Sequence, residues 1–211
     1  MDVAKIESNT FQLNKKLLNL NSSISNIVKD YEKRQKQHKA RDITRLISNV
    51  NGSNSDNKNK DTKTMETKLV FQSKLNEEDI FVEADEERLT QVIDNILDNA
   101  FKFTGTDGSI IITLEKQEQL QIGERREQTQ QQRHATITIK DTGTGIDPDI
   151  LPRLFTKFAT KSHKGTGLGL YISKNIVEAH GGKLYAINNT DGNGATFTII
   201  LPLFNKEQKQ Q

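Results

Sequence analysis

The stretch that most constrains the fold is Glu87 to Thr104, ERLTQVIDNILDNAFKFT. Positions three, four and seven apart share a side of a helix, so Leu89, Val92, Ile93, Ile96, Leu97 and Ala100 form one apolar stripe. Such a stripe has to be buried, and the helix must therefore lie on a second layer. Another side carries Arg88, Gln91, Asn95, Asn99 and Lys102. Asparagine is a poor helix former, so Asn95 and Asn99 at i and i+4, with Lys102 at i+7, read as amides presented to a ligand. An amide oxygen suits a hard cation such as Mg²⁺, and an ammonium suits the phosphates that carry it. On its own the stripe also fits an ordinary solvated face.

Three glycine-bearing or aromatic motifs follow this helix. DTGTGID, Asp141 to Asp147, leaves a strand end, and Gly143 and Gly145 allow close approach of backbone to a ligand. A carboxylate at the mouth of such a turn can accept the exocyclic amino protons of adenine. LFTKF, Leu154 to Phe158, places two aromatics on one side of a short turn, a pattern that by itself belongs to a core. GTGLGL, Gly165 to Leu170, runs into a helix. Glycines before a helix N-terminus expose N–H groups, and the helix dipole there favours a polyphosphate. Neither a Walker loop nor the GxGxxG of a dinucleotide fold is present.

Elsewhere the pattern predicts a helix end over Met1–Asn9 and a short extended segment from Phe11 to Leu20. Asn21-Ser22-Ser23 is read as the cap of a second helix that continues to Leu46 and Ile47. Residues 49–64 read as a solvated loop. Leu69–Phe71 and Ile80–Val82 read as strands joined by the SKLNEED turn, and Ala84-Asp85-Glu86 as the start of the central helix. Strands follow at Ser109–Glu115 and Ala135–Asp141, with the glutamine-rich 116–134 between them read as a mobile excursion. A helix over Thr166–His180, strands over Lys183–Asn188 and Thr196–Pro202, and a polar tail over 205–211 complete the chain.

Composition excludes several functions. The 211 residues carry a net charge of +2 and no cysteine, which leaves no broad electrostatic case for nucleic acid, no disulfide and no thiol chemistry. The four histidines, His38, His134, His163 and His180, lack metal-ligand spacing. No apolar run approaches the roughly 20 residues of a membrane span, so the chain is expected to be soluble and cytoplasmic without direct membrane contact, although a full-length parent could be membrane-anchored.

NILDNAFKF, DTGTGID, LFTKF and GTGLGL, in this order, resemble the four ATP-binding boxes of sensor histidine kinases, within the gyrase, heat-shock and mismatch-repair group of ATPases. The resemblance covers Phe11 to Phe204, and DVAKIES at the start resembles the end of that family's dimerisation hairpin. It implies an α/β sandwich: a mixed, mainly antiparallel five-stranded sheet covered on one face by three helices. It divides the chain into a hairpin-helix end (1–10), a catalytic domain (11–205) with polar insertions at 49–64 and 116–134, and a tail (206–211). It also implies that Asn99 binds Mg²⁺, that Lys102 reaches phosphate with Asn95 one turn earlier, and that Asp141 holds the adenine amino group. Gly143, Gly145 and Ile146 would shape the base pocket with support from Thr196. Gly165, Thr166, Gly167, Leu168 and Gly169 would anchor a lid over the triphosphate, beside Phe155 and Phe158.

The reaction implied is transfer of the γ-phosphoryl group of ATP to a histidine of a dimerisation domain, for onward relay to a response regulator. None of the four histidines sits in an acceptor box, so self-phosphorylation of this chain is not expected, and the chain reads as the catalytic part of a longer protein. The lid segment ATKSHK is short and lacks the arginine that many relatives carry, leaving Lys161 or Lys164 to substitute without a guanidinium fork. A gyrase- or chaperone-type clamp is the second reading. It would need a glutamate where Asn95 stands, and Asp98 lies about 60° further round the helix. The third is a non-catalytic nucleotide-binding or scaffold module.

Overall fold

The computed structural model describes residues 2–8, 10–50, 68–73, 79–105, 108–122, 129–160 and 165–204. A first short helix, α1 (Asp2–Glu7), precedes β1 (Lys16–Asn19), α2 (Leu20–Val50) and β2 (Lys68–Ser73). Then come β3 (Phe81–Ala84), α3 (Glu86–Phe103), β4 (Ser109–Ile122) and β5 (Thr129–Asp141). After a single 3-10 turn at Leu151–Arg153 the chain forms α4 (Gly169–Ala179), β6 (Lys183–Asn188) and β7 (Ala195–Pro202).

The main sheet has the order β2-β4-β5-β7-β6, and only its β2–β4 pair is parallel. Alternation decides which face is covered. Ile110, Ile112 and Leu114 of β4, Ile137 and Ile139 of β5, and Ile199 and Leu201 of β7 are all buried on one side. Against them pack α2, α3 and α4, with Ile24, the α3 stripe, Ile176 and Val177 in a single cluster. The α/β sandwich expected from the sequence is therefore the architecture found.

Several local expectations need correction. The strands around residues 69–71 and 80–82 do not pair with each other. β2 runs parallel beside β4, whereas β3 pairs antiparallel with β1 in a separate two-stranded sheet. A turn-like spacer between two strands does not by itself make them partners. Part of the 116–134 excursion is ladder, because β4 and β5 stay paired as far as Ile122 opposite Thr129. Backbone pairing needs no apolar side chain, so a polar segment can extend a hairpin begun by Ile110 and Ile112. The α2 helix starts at Leu20, capped by Asn19, whose Oδ1 accepts the Ser22 N–H at 3.2 Å. Asn21 instead accepts the Ile80 N–H at 3.0 Å. The α2 helix also runs to Val50, into the segment read as loop, while residues 51–67 lie outside the described residues. Similarly, α4 starts at Gly169, three residues later than expected.

The start of α3 is fixed from two directions. Asp85 accepts the Arg88 N–H at 3.2 Å as N-cap, and its other oxygen takes the Asn14 N–H at 2.9 Å. Such a cap contributes about 1 kcal/mol. The Asp85 N–H in turn donates to Nε2 of buried His180 at 2.9 Å, and the His180 Nδ1 faces the Ile176 carbonyl at 2.8 Å. With Nε2 accepting, the proton sits on Nδ1 and the ring is neutral. Burial, the largest influence, holds the His180 pKa below its ordinary 6.5.

A protonated His180 would turn an N–H toward the Asp85 N–H. The unfolded chain therefore takes up this proton first, and stability falls as pH drops below about 6.5. Thermal unfolding at pH 7.5 and 5.5 is expected to show a lower midpoint at pH 5.5. His180→Gln, less stable at pH 7.5, should lose less on acidification. An equal loss in both proteins would remove His180 as the cause.

Candidate functional site

A cavity of about 510 Å³ opens between α3 and the segment that leads into α4. Its lining draws mainly on three of the four motifs: Asn95, Asn99 and Lys102; Asp141, Gly145 and Ile146; and Gly165, Thr166, Gly167 and Gly169. From the LFTKF motif the lining takes only Leu154. This volume lies within the range of small-molecule sites.

One end is polar. Asn99 donates its amide Nδ2 to the Asn95 carbonyl at 2.9 Å. That commits the nitrogen and presents Oδ1 as the ligand atom, the donor a hard cation needs. Asn95 donates to Ser173 Oγ at 3.2 Å and to the Gly169 carbonyl at 3.4 Å, which ties α3 to the first turns of α4. The approach is close but not crowded, since a Cβ at Gly169 would lie 3.4 Å from Asn95 Oδ1, an ordinary contact distance. The Lys102 ammonium sits 5.1 Å from the centre of the Phe103 ring. Among the described residues no cluster of three acidic or histidine side chains could hold a metal alone. Mg²⁺ retains waters and takes few protein ligands when it travels with phosphates, so Asn99 at this position fits such an ion.

The other end is built around Asp141, which is 4% exposed. Its Oδ1 accepts the Gly143 N–H at 2.8 Å and the Ala195 N–H at 3.3 Å. Ile146, Ile150, Leu154 and Phe197 give this end apolar walls. Two asparagines, Asn188 at the end of β6 and Asn189 directly after it, hold the turn that follows Asp141. Asn188 pairs both amide atoms with the Ile146 backbone, accepting its N–H at 2.6 Å and donating to its carbonyl at 2.8 Å. Asn189 donates to the Asp141 carbonyl at 2.8 Å and accepts the Thr196 hydroxyl at 2.6 Å.

Other residues singled out from the sequence stand behind the lining. Thr196 reaches Asp141 only through Asn189. Gly143 lets the DTGTGID turn lie on the end of α3, where a Cβ would come within 2.5 Å of the Phe103 carbonyl oxygen. Phe155 packs on the core, and Leu168 caps α4 with its carbonyl on Ile172 N–H. Phe158 is 69% exposed with φ +62°, and its N–H donates to the Gly167 carbonyl at 3.0 Å, joining the LFTKF motif to the GTGLGL motif. Lys161 and Lys164 lie outside the described residues. The sequence reading missed Phe103, Thr144 and Asp147 in the lining, and gave Asp98 no place in it. Phe103 carried a signal as the aromatic next to Lys102. Asn188 and Asn189 carried none, because asparagines at a strand end are ordinary turn residues.

The profile of the family described as Histidine kinase-, DNA gyrase B-, and HSP90-like ATPase matches residues 84–205. The chain belongs to this ATPase family. Within the family it is similar to the sensor histidine kinase WalK of Bacillus subtilis, 33% identical over 152 residues, which are 69% of this chain and 23% of that protein. The sensor histidine kinase ZraS of Salmonella typhi is 40% identical over 127 residues, 60% of this chain and 24% of its own length. The chain thus spans about a quarter of the length of these curated relatives. The catalytic domain of the histidine kinase ThkA superposes with a TM-score of 0.62 at 25% identity, over 90% of this chain and 96% of that one. In sequence and fold the chain is thus similar to a histidine kinase catalytic domain.

The β6–β7 turn offers a test of how the ATPase domain builds its buried carboxylate. Gly194 has φ +101°, and a Cβ there would stand 2.0 Å from the Asp141 carbonyl oxygen. Gly192, two residues earlier, has nothing within 4 Å. Gly194→Ala is expected to lower stability by about 2 kcal/mol or more, and Gly192→Ala by less than about 0.5 kcal/mol, measured by urea unfolding. Similar losses would mean that the turn is not tightened onto Asp141.

Proposed function

We propose that this domain binds Mg²⁺-ATP in the cavity and donates the γ-phosphoryl group to a histidine nitrogen on a dimerisation domain. The observation that carries this reading is that one cavity joins the Asn99–Lys102 end to the buried Asp141 carboxylate. Adenine presents amino protons to a carboxylate, whereas guanine presents a carbonyl oxygen at the same place, so acceptor would meet acceptor and GTP would be rejected. At the other end Asn99 would hold the cation by Oδ1 and Lys102 would meet a phosphate. When bound, Mg²⁺ neutralises charge on the phosphates. Gly165, Thr166, Gly167 and Gly169 border the cavity where α4 begins, and there backbone N–H groups suit a polyphosphate. Lys161 or Lys164 would complete the lid.

In the transfer, a histidine nitrogen attacks the γ-phosphorus, the bond to the β–γ bridging oxygen breaks, ADP leaves, and the imidazole loses its proton. The domain contributes positioning and charge neutralisation. His180 is buried and neutral in the α3–α4 seam and is unsuited to be the acceptor. None of the chain's four histidines lies in an acceptor box, so the phosphoryl group passes to a separate histidine-bearing segment and then to a response regulator. Residues 1–10 are read as the end of the dimerisation hairpin, 11–205 as the catalytic domain and 206–211 as a tail. Among the described residues no helix is long and apolar enough to cross a membrane.

Calorimetric titration with a non-hydrolysable ATP analogue, with and without Mg²⁺ and against GTP, tests the reading. Mg²⁺-assisted binding that excludes GTP is expected. Asp141→Asn should weaken it about 10- to 100-fold, as loss of a charged hydrogen bond does, and Asn99→Ala should remove most of the Mg²⁺ dependence. Absence of nucleotide binding in the unsubstituted chain would replace the kinase reading with that of a scaffold.

A further inference from the structure

Two carboxylates in the lining, Asp98 and Asp147, have no part in the reading above, and Asp98 is the one that stands on α3 beside Asn99 and Lys102. Asp98 lies between Asn95 and Asn99 in sequence and borders the cavity with them and with Lys102, one turn further along α3. An acidic group beside a site for three phosphates is an electrostatic liability, since the bare nucleotide arrives with a large negative charge. The structure nevertheless fixes it there. The Tyr31 hydroxyl donates to Asp98 Oδ1 at 2.7 Å.

Tyr31 is built for this contact. It comes from α2, 67 positions away in sequence, and is 2% exposed. Its ring packs on Phe101 with centroids 5.1 Å apart, and the Arg34 guanidinium lies 5.2 Å from its centroid. Arg34 also pairs with Asp94 at 2.6 Å, so a second bond holds α2 and α3 in register at the same level. The hydroxyl therefore cannot follow Asp98 to another rotamer. A carboxylate has room for about four hydrogen bonds, and Tyr31 is the one protein donor to Asp98 among the described residues.

We infer that Asp98, positioned by Tyr31, makes nucleotide binding selective for the metal-loaded form. The inference rests on the nucleotide-binding reading of this cavity. A fixed negative charge raises the cost of admitting a bare triphosphate. When the phosphates carry a divalent cation the same charge is attractive, and the carboxylate can accept hydrogen bonds from the waters such an ion retains. Asp98 thus acts on which ionic form of the nucleotide enters, while Tyr31 acts only through Asp98. Coordination remains with Asn99.

The test is calorimetric titration of the whole chain with a non-hydrolysable ATP analogue in excess Mg²⁺ and in EDTA, read as the ratio of the two Kd values. Asp98→Asn, nearly the same shape without the charge, is expected to tighten binding in EDTA and weaken it in Mg²⁺, lowering the ratio about tenfold, the scale of one unit charge acting across a partly wet cavity. Tyr31→Phe keeps the ring and should lower the ratio about threefold, with no further change when combined with Asp98→Asn. Thermal unfolding of each variant checks that the α2–α3 seam is intact. The inference is overturned if Asp98→Asn still binds nucleotide with an unchanged ratio. It is also overturned if Tyr31→Phe lowers the ratio as much without the Asp98 charge as with it, the mark of a purely structural tyrosine. If the unsubstituted chain binds nucleotide in neither condition, the cavity reading itself fails. That result differs from a preserved affinity with an unchanged ratio.

Discussion

Burial of one side of α3 against the sheet sets the rotation of that helix, and the rotation sets the site. Leu89, Val92, Ile93, Ile96, Leu97 and Ala100 are each 2% exposed or less. Burying an aliphatic side chain of this size contributes roughly 1.5–3 kcal/mol. Turning α3 by one residue position, about 100°, would bring part of that surface into water and swing Asn99 out of the cavity. No contact with a small ligand could offset such a change, so the Asn95–Asn99–Lys102 row is presented whether or not anything is bound. Asp85 fixes the remaining freedom, sliding along the axis, by capping the first turn while held by Asn14 and His180.

The two ends of the cavity are made by different means. At the α3 end a single helix supplies the side chains, and their spacing follows from helical geometry. At the Asp141 end the carboxylate is nearly out of water and depends on neighbours from β7 and its preceding turn. Backbone N–H groups from Gly143 and Ala195 both donate to its Oδ1, Asn189 holds the Asp141 carbonyl, and Asn188 holds the Ile146 backbone. A buried carboxylate without such donors would be costly, so the polar bracing is a condition for having Asp141 there at all.

This difference explains what the sequence disclosed. Periodicity located α3 within a residue at each end, and alternation located the apolar parts of β4, β5 and β7, because burial on one face writes a repeat into the residues. The parallel β2–β4 pair left no local trace, since its partners are separated by β3 and α3. The outer half of the β4–β5 hairpin was unreadable for another reason: it is held by backbone groups that every residue has. In the site, Asn99, Lys102, Asp141 and the GTGLGL glycines stood in recognisable motifs. Asn188, Asn189 and the Tyr31–Asp98 bond did not, because each works through a partner far away in sequence and belongs to a residue type common in turns or cores.

The order of the strands has a consequence for synthesis. The donors that complete the Asp141 end stand 42 to 54 positions further along the chain, and β7, which carries Ala195, lies between β5 and β6 although it follows both in sequence. A chain still emerging from the ribosome, which releases its N-terminal part first, could already have α3 with its asparagine row while the Asp141 end is not yet complete. The cavity is then complete at both ends only once β7 has been inserted between β5 and β6.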